Sequence, residues 1–244
     1  MTFTEIRPHP ELRDHIDTYW LIDNEGGPER KLHILPDGCV DLIFNLRGTC
    51  SVENGNQVMR PMQAYLAGTM TTTQETCLGT DSRLIGVRFK PAHFSSFFNF
   101  APLHSVTNTT IPCDASFRMN MNKMEQQPVS YLDQFFSNNI RTPTPHLTDI
   151  INDITIANGQ ITIHQLAKRN YITVRSLERQ FQKFIGLSPK EFTAITRFRF
   201  ALQRIQQNRN KESLLNIAFD CGYYDHAHLA NDIKKYTGRP PSSF

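Results

Sequence analysis

The sequence has no CxxC pair, and its five cysteines are odd in number and widely spaced, which argues against a disulfide framework and a zinc knuckle. Cys39, Cys50, Cys77, Cys113 and Cys221 are read instead as small buried hydrophobes. No window approaches the roughly 18 unbroken apolar residues that a membrane helix needs. The opening stretch, MTFTEIRPHPELRDHIDTYW, places acids where a secretion signal needs an apolar run. A cytoplasmic location without membrane partners is therefore expected. In residues 1–140 no HxH or HxxxE grouping gives His33, Cys39, His93 or His104 a metal-binding spacing. His226 and His228 lie two apart and face different sides of a helix, so they cannot readily share one ion. No metal, no cofactor and no catalytic group is expected.

What is present suits a chain of two ordinary domains: 244 residues, 39% apolar and 20% charged. The net charge of +3 hides an asymmetry. Residues 1–158 carry 12 Lys+Arg against 17 Asp+Glu, a net of −5, and residues 159–244 carry 14 against 6, a net of +8. A basic third joined to an acidic remainder points to a polyanion-binding module attached to something with another task.

NNIRTPTPH (138–146) is the linker candidate, because its prolines continue neither a helix nor a central strand. Before it, residues 1–105 look β-rich. PELRDHIDTYW places Leu12, Ile16 and Tyr19 at helical spacing. ILPDGCVDLIFNL offers a Pro-Asp-Gly turn and then alternation, with Val40, Leu42, Phe44 and Leu46 on one face. Cys39, Asp41, Ile43 and Asn45 share the other face, where Asp41 and Asn45 are candidates to line an effector pocket. AYLAGTM (64–70) and RLIGVRFKP (83–91) read as strands. PAHFSSFFNF reads as a helix opening with proline, and residues 128–140 as an amphipathic helix burying Val129, Leu132, Phe135 and Phe136. Strands closed by helices suggest a small barrel or sandwich.

After the linker all signals are helical. Leu147, Ile150, Ile151 and Ile154 follow the i, i+3, i+4, i+7 pattern, with Gly159 as a stop. A repeat follows. HQLAKRNYITVRSLERQFQKFIGLSP (164–189) matches LNIAFDCGYYDHAHLANDIKKYTGRPP (215–241). Thr173/Asp225, Leu177/Leu229, Phe181/Ile233, Lys183/Lys235, Gly186/Gly238 and Pro189/Pro241 each stand 52 apart. Leu166-Ala167 and Ile217-Ala218 stand 51 apart, so one residue is added at the turn. Each copy has the layout of a helix-turn-helix. Gly222 makes the second turn and Asn170 is the corresponding residue expected in the first. Thr173 and Asp225 cap the second helices. The outward faces carry Arg175, Glu178, Arg179 and Gln182 in one copy, and His226, Ala227, Ala230 and Asn231 in the other. Such a face fits the major groove, where Arg grips guanine, Asn adenine, Glu accepts from cytosine and Ala touches a thymine methyl. Lys183, Lys234 and Lys235 suit phosphates. Ser188 to Gln207 reads as one helix linking the copies, burying Phe192, Ile195, Phe198, Leu202 and Ile205.

LAxR followed by SLxRxFxxxxGxSPxxF, the linking TRFRFAL and IAxxCGYYDxAHL…KKYTGRPPSSF together resemble the DNA-binding domain of AraC/XylS-type transcription regulators over about residues 146–244. The resemblance implies two helix-turn-helix units (about 162–186 and 214–238) joined by a linking helix at 188–207. It maps base reading onto Arg175, Glu178, Arg179, His226, Ala227 and Asn231, with Thr173, Gln182, Lys183, Lys234 and Lys235 as phosphate contacts. Leu229 and Ile233 stand where the family often has Phe, and Asp225 where it often has Ser or Thr. Residues 1–142 resemble, less specifically, the sensor or dimerisation domains of such regulators, which are usually cupin-like. The expected fold is α+β, with a β-rich barrel or sandwich before an all-α double helix-turn-helix domain. The partners so implied are double-stranded DNA, a small-molecule effector, a second copy in a homodimer, and RNA polymerase if the protein activates. The rival readings are a cupin-like enzyme, or a protein-interaction domain, carrying a DNA-binding tail.

Overall fold

A computed structural model describes residues 1–100, 102–113, 119–141, 145–208 and 212–244. Its strands are β1 (Thr2–Ile6), β2 (Ile16–Asp23), β3 (Arg30–Ile34), β4 (Val40–Arg47), β5 (Cys50–Val52), β6 (Gln57–Met59), β7 (Gln63–Ala67), β8 (Gln74–Leu78), β9 (Arg83–Phe89) and β10 (Thr110–Pro112). The helices are α1 (Met121–Gln126), α2 (Pro128–Ser137), α3 (Pro145–Ile156), α4 (Ile163–Arg169), α5 (Val174–Phe184), α6 (Pro189–Gln206), α7 (Leu214–Asp220) and α8 (His226–Thr237). Residues 142–144 of the linker candidate lie outside the described residues.

The strands make two antiparallel sheets, ordered β1-β2-β9-β4-β7-β10 and β3-β8-β5-β6. One face of the larger sheet presents Leu42, Phe44, Val87 and Phe89 to Met124 of α1 and to Leu132 and Phe136 of α2. Its other face presents Trp20, Ile22, Ile43 and Leu84 to Val52, Met59 and Leu78 of the smaller sheet. Both faces of β4 are therefore covered. The side carrying Asp41 and Ile43 points inward between the sheets, and apolar burial on that side holds the two layers together.

Two helical expectations fail. Leu12, Ile16 and Tyr19 are all buried, but Pro10–Leu12 is a single 3-10 turn and Ile16 already begins β2. β2 lies between β1 and β9 and buries residues on both faces, so the alternation that marks a half-buried strand is lost. PAHFSSFFNF is not a helix either: only Phe94–Ser96 form a 3-10 turn, preceded by Ala92 at φ 69°. Its phenylalanines still pack as a group, with Phe94 and Phe97 within 5.7 Å of the Phe89 ring centre. The helix expected at 128–140 is α2, with Leu132 and Phe136 fully buried and Val129 and Phe135 half-buried.

Helices α3 to α8 share one core. It takes in Leu147, Ile150, Ile151 and Ile154 of α3 and all five apolar positions foreseen on α6. α6 opens with a capping box, in which Ser188 Oγ accepts from Glu191 N (3.2 Å) while the Glu191 carboxylate accepts from Ser188 N (2.8 Å). Leu35 and Ala92, from the β-rich part, join this helical core.

Candidate nucleic-acid interface

Each second helix of the repeat is started by the side chain expected to cap it. Thr173 Oγ1 accepts from Ser176 N at 3.1 Å, and Asp225 Oδ1 accepts from His228 N at 2.7 Å. In both units the turn is closed by the same backbone bond, Ile172 N to Ala167 O at 3.1 Å and Tyr223 N to Ala218 O at 2.9 Å. These bonds hold the 51-residue offset as far as Tyr223, so the added residue is Tyr224, which is 85% exposed. The left-handed residue of the first turn is consequently not Asn170 (φ −99°) but Tyr171 (φ 52°), the counterpart of Gly222 (φ 73°). Asn170 instead donates to Asp153 Oδ2 of α3 at 3.1 Å and to Leu166 O at 3.0 Å. A tyrosine pays steric strain at such an angle that glycine avoids.

Opposite the caps, one face of each helix is sealed. Leu177 and Phe181 of α5, and Leu229, Ile233 and Tyr236 of α8, are buried, while Phe184 is half-buried. Tyr223 packs between the helices, 4.5 Å under the Arg197 guanidinium and edge-on to His228 at 5.1 Å. The outward faces are free. Thr173, Arg175, Glu178, Arg179, Gln182 and Lys183 are exposed on unit one, and His226, Ala227, Asn231, Lys234 and Lys235 on unit two; Ala230 is half-buried. None of the six cations and acids Arg175, Glu178, Arg179, Lys183, Lys234 and Lys235 takes part in a salt bridge among the described residues. Three cations of unit one are thus available to an external anion. The charges that stiffen the domain lie elsewhere: Arg204 pairs with Glu212 (2.9 Å) and Asp220 (3.2 Å), and Arg197 with Asp232 (3.6 Å). At 1.5 Å per residue, α6 is about 27 Å long, close to the ~34 Å between successive turns of one groove.

The two candidates for the effector pocket part company. Asp41 lines a cavity between the sheets and accepts from Trp20 Nε1 at 2.7 Å. Asn45 does not line it: fully buried, its amide donates to Gly48 O and Met59 O, both at 2.9 Å, and pins a loop. Arg88, absent from the sequence-based candidates, shares the cavity floor, with Nε 3.4 Å from both Asp41 Oδ1 and Asp37 Oδ2. Its position in a strand was legible, but not the register that sets it directly across from Asp41. Burial pushes the Asp41 carboxyl up from the usual carboxylate range, against the pull of Arg88. The Cys39, Cys50 and Cys221 thiols are likewise raised by burial, Cys50 to about 12 and Cys221 to about 11. These three are protonated at neutral pH. Cys50 and Cys221 are the buried small hydrophobes expected, whereas Cys39, Cys77 and Cys113 are half-buried. Another pair was missed in sequence: His15 Nδ1 and His93 Nδ1 are 3.0 Å apart, and His93 Nε2 is 3.4 Å from Thr148 of α3. No grouping of three or more metal-ligating side chains occurs among the described residues.

Comparison with known proteins agrees with this geometry. Residues 166–244 match a family described as a helix-turn-helix domain, and residues 4–112 match a domain of unknown function, DUF6597. A 78-residue stretch is 31% identical to the HTH-type transcriptional activator RhaS of Pectobacterium carotovorum, covering 32% of this chain and 27% of that one. A stretch of 82 residues is 33% identical to an uncharacterized HTH-type transcriptional regulator of Haemophilus influenzae, covering 34% and 27%. The chain therefore spans about a quarter of the length of these curated relatives. Apo ToxT from Vibrio cholerae, in a single-residue variant, superposes with a TM-score of 0.50 at 10% identity over 92% of this chain and 96% of that one, a likeness of fold alone. No helix among the described residues is long and apolar enough to cross a membrane. Residues 166–244 of this chain thus match the helix-turn-helix domain family, here behind a β-rich domain.

Proposed function

We propose that this protein is a sequence-specific DNA-binding transcription regulator, in which residues 146–244 bind DNA and residues 1–142 sense an effector or dimerise. The observation that carries this reading is the pair of capped helices, α5 and α8, each with one face sealed in the core and the other exposed. In this reading Arg175, Glu178 and Arg179 meet base edges in one major groove, and His226, Ala227 and Asn231 in the next. Thr173, Gln182, Lys183, Lys234 and Lys235 hold phosphates on either side. RhaS, 31% identical over a 78-residue stretch, is called a transcriptional activator. That supports DNA binding here and leaves the direction of regulation to experiment.

The test is selection of genomic fragments by the purified full-length protein, followed by sequencing. Two short sequence blocks about one helical turn apart, roughly 10 bp centre to centre, are the expected result. Enrichment without a shared motif, unchanged by Arg179→Ala, would defeat sequence-specific reading.

A further inference from the structure

The cavity between the sheets encloses about 160 Å³, close to the ~150 Å³ of an engineered apolar cavity that takes up benzene. Its walls are the side chains of Ile22, Leu32, Ile43, Val52 and Leu84, with the Trp20 indole as one face. Gly86 makes room for that indole, since any Cβ there would overlap it. A single aromatic ring or a short alkyl group fits such a space.

Its polar end is specific. Only Asp41 and Arg88 carry charge among the lining residues. The guanidinium is already claimed twice, by Asp41 and by Asp37, and its Nε is enclosed with no hydrogen bond and no open surface. Asp41 has given one oxygen to Trp20, a neutral donor, and shares its one cation with Asp37. Asp37 has a second cation in Arg199, so the carboxylate left with an excess of negative charge is Asp41, which has only its share of Arg88. An entering anion meets that excess, whereas an entering ammonium group relieves it.

We propose that this cavity is a binding site for a single-ring-sized apolar amine, whose ring lies against Trp20 and whose ammonium group donates to Asp41. The proposal rests on reading the β-rich part as the sensing half, and it names the ligand class of that half. The occupant's charge is felt outside the cavity, because Asp37 is shared by Arg88 and by Arg199 of α6. An ammonium that satisfies Asp41 frees Arg88 for Asp37, in competition with Arg199.

Trp20 is the chain's one tryptophan, so its emission reports on the cavity without a label. The full-length protein is titrated with phenethylamine, 3-phenylpropionate and propylbenzene. Saturable change with the amine, at an affinity at least about tenfold above that of the carboxylate, is the expected result. Asp41→Asn, which keeps an acceptor for Trp20 but loses the charge, brings the two within about twofold of each other. Val52→Phe fills the cavity from the smaller sheet and abolishes the response. Equal or tighter binding of the carboxylate, or no response to any of the three, overturns the proposal; both readouts need only the unaltered protein. DNA affinity of the selected fragments is followed in the same samples. Amine binding with unchanged DNA affinity upholds the site and sinks its regulatory role. Amine binding by a protein that retains no DNA upholds the site and sinks the proposed function instead.

Discussion

Asp37 Oδ2 lies 3.7 Å from Arg199 Nη1, joining the turn before β4 to the middle of α6. The next residue, Gly38 at φ 77°, is pressed against Phe192 of the same helix, so that a Cβ there would come within 2.5 Å of the ring. Phe192 in turn meets Phe181 of α5 edge-on at 5.8 Å. The turn brings the β-rich part against α6, the helix that spaces the two helix-turn-helix units. Arg199 is half exposed, so the ion pair is a weak fastening. Arg199→Ala should lower stability by less than about 1 kcal/mol, whereas Phe192→Ala should cost about 3–5 kcal/mol. Gly38→Ala meets both the ring and an unfavourable backbone angle and should fall between them. Thermal unfolding of the three variants checks this order.

The exposed faces of α5 should divide by role. Arg179→Ala should cost about 1–3 kcal/mol in operator binding and relax the preference at one or two base pairs. Lys183→Ala should weaken binding to every sequence alike and make the slope of log K against log salt shallower by about 0.9. Titrations of specific and scrambled duplexes at several salt concentrations separate the two. Loss of specificity with Lys183→Ala and none with Arg179→Ala would reverse the proposed docking.

Asp225 caps α8 with a charge at the position equivalent to Thr173, a proposed phosphate contact. Asp225→Ala should destabilise by about 0.5–2 kcal/mol, because His228 N loses its acceptor. Asp225→Ser keeps an acceptor and removes the charge, so it should leave stability nearly unchanged and tighten DNA binding. Weaker DNA binding by the serine variant would mean that Asp225 contacts a base or a positive group instead.

His93 is held neutral, its pKa lowered to about 4, chiefly by burial and then by His15 and Lys90, with Asp14 opposing. His15 is lowered as well, again by burial first, with Lys90 in the same direction and Asp14 opposing. Phe97 packs edge-on to His15 at 5.6 Å, and Thr148 faces His93 from α3. The unfolded chain takes up protons on these rings near pH 6.5, before the folded chain does. The contribution of His93 to stability is therefore complete above about pH 6.5 and is lost as the pH falls towards 4, with His15 acting in the same direction. Unfolding midpoints between pH 7 and pH 4 should drop, and should drop less steeply in His93→Gln. A variant as pH-sensitive as the parent would place the titration elsewhere.

Much of the helical half was legible because its signals are local. Period, caps and glycine stops agree in each copy, and the duplication supplies a second reading of every position. The turn shows the limit: an asparagine looked the better left-handed residue, yet the backbone bond from Ile172 to Ala167 places Tyr171 there. In the β-rich half only the stretches that form β4, β7 and β9 were read as strands; β2 was read as helix, because neighbours on both sides bury both of its faces, and the other six strands among the described residues were not read at all. Asp41 and Asn45 looked equivalent on one strand face. Only the packing of a second sheet decided that one lines a cavity while the other ties down a loop.

By itself the sequence determined the double helix-turn-helix, its caps, its buried stripes and the side chains turned outward, since each depends on spacing within a few turns of chain. The tertiary structure alone decided that Arg88 meets Asp41, that His15 meets His93, and that Asp37 reaches Arg199. Those partners stand 47, 78 and 162 residues apart, and sheet register and the packing of α6, rather than any local pattern, bring them together.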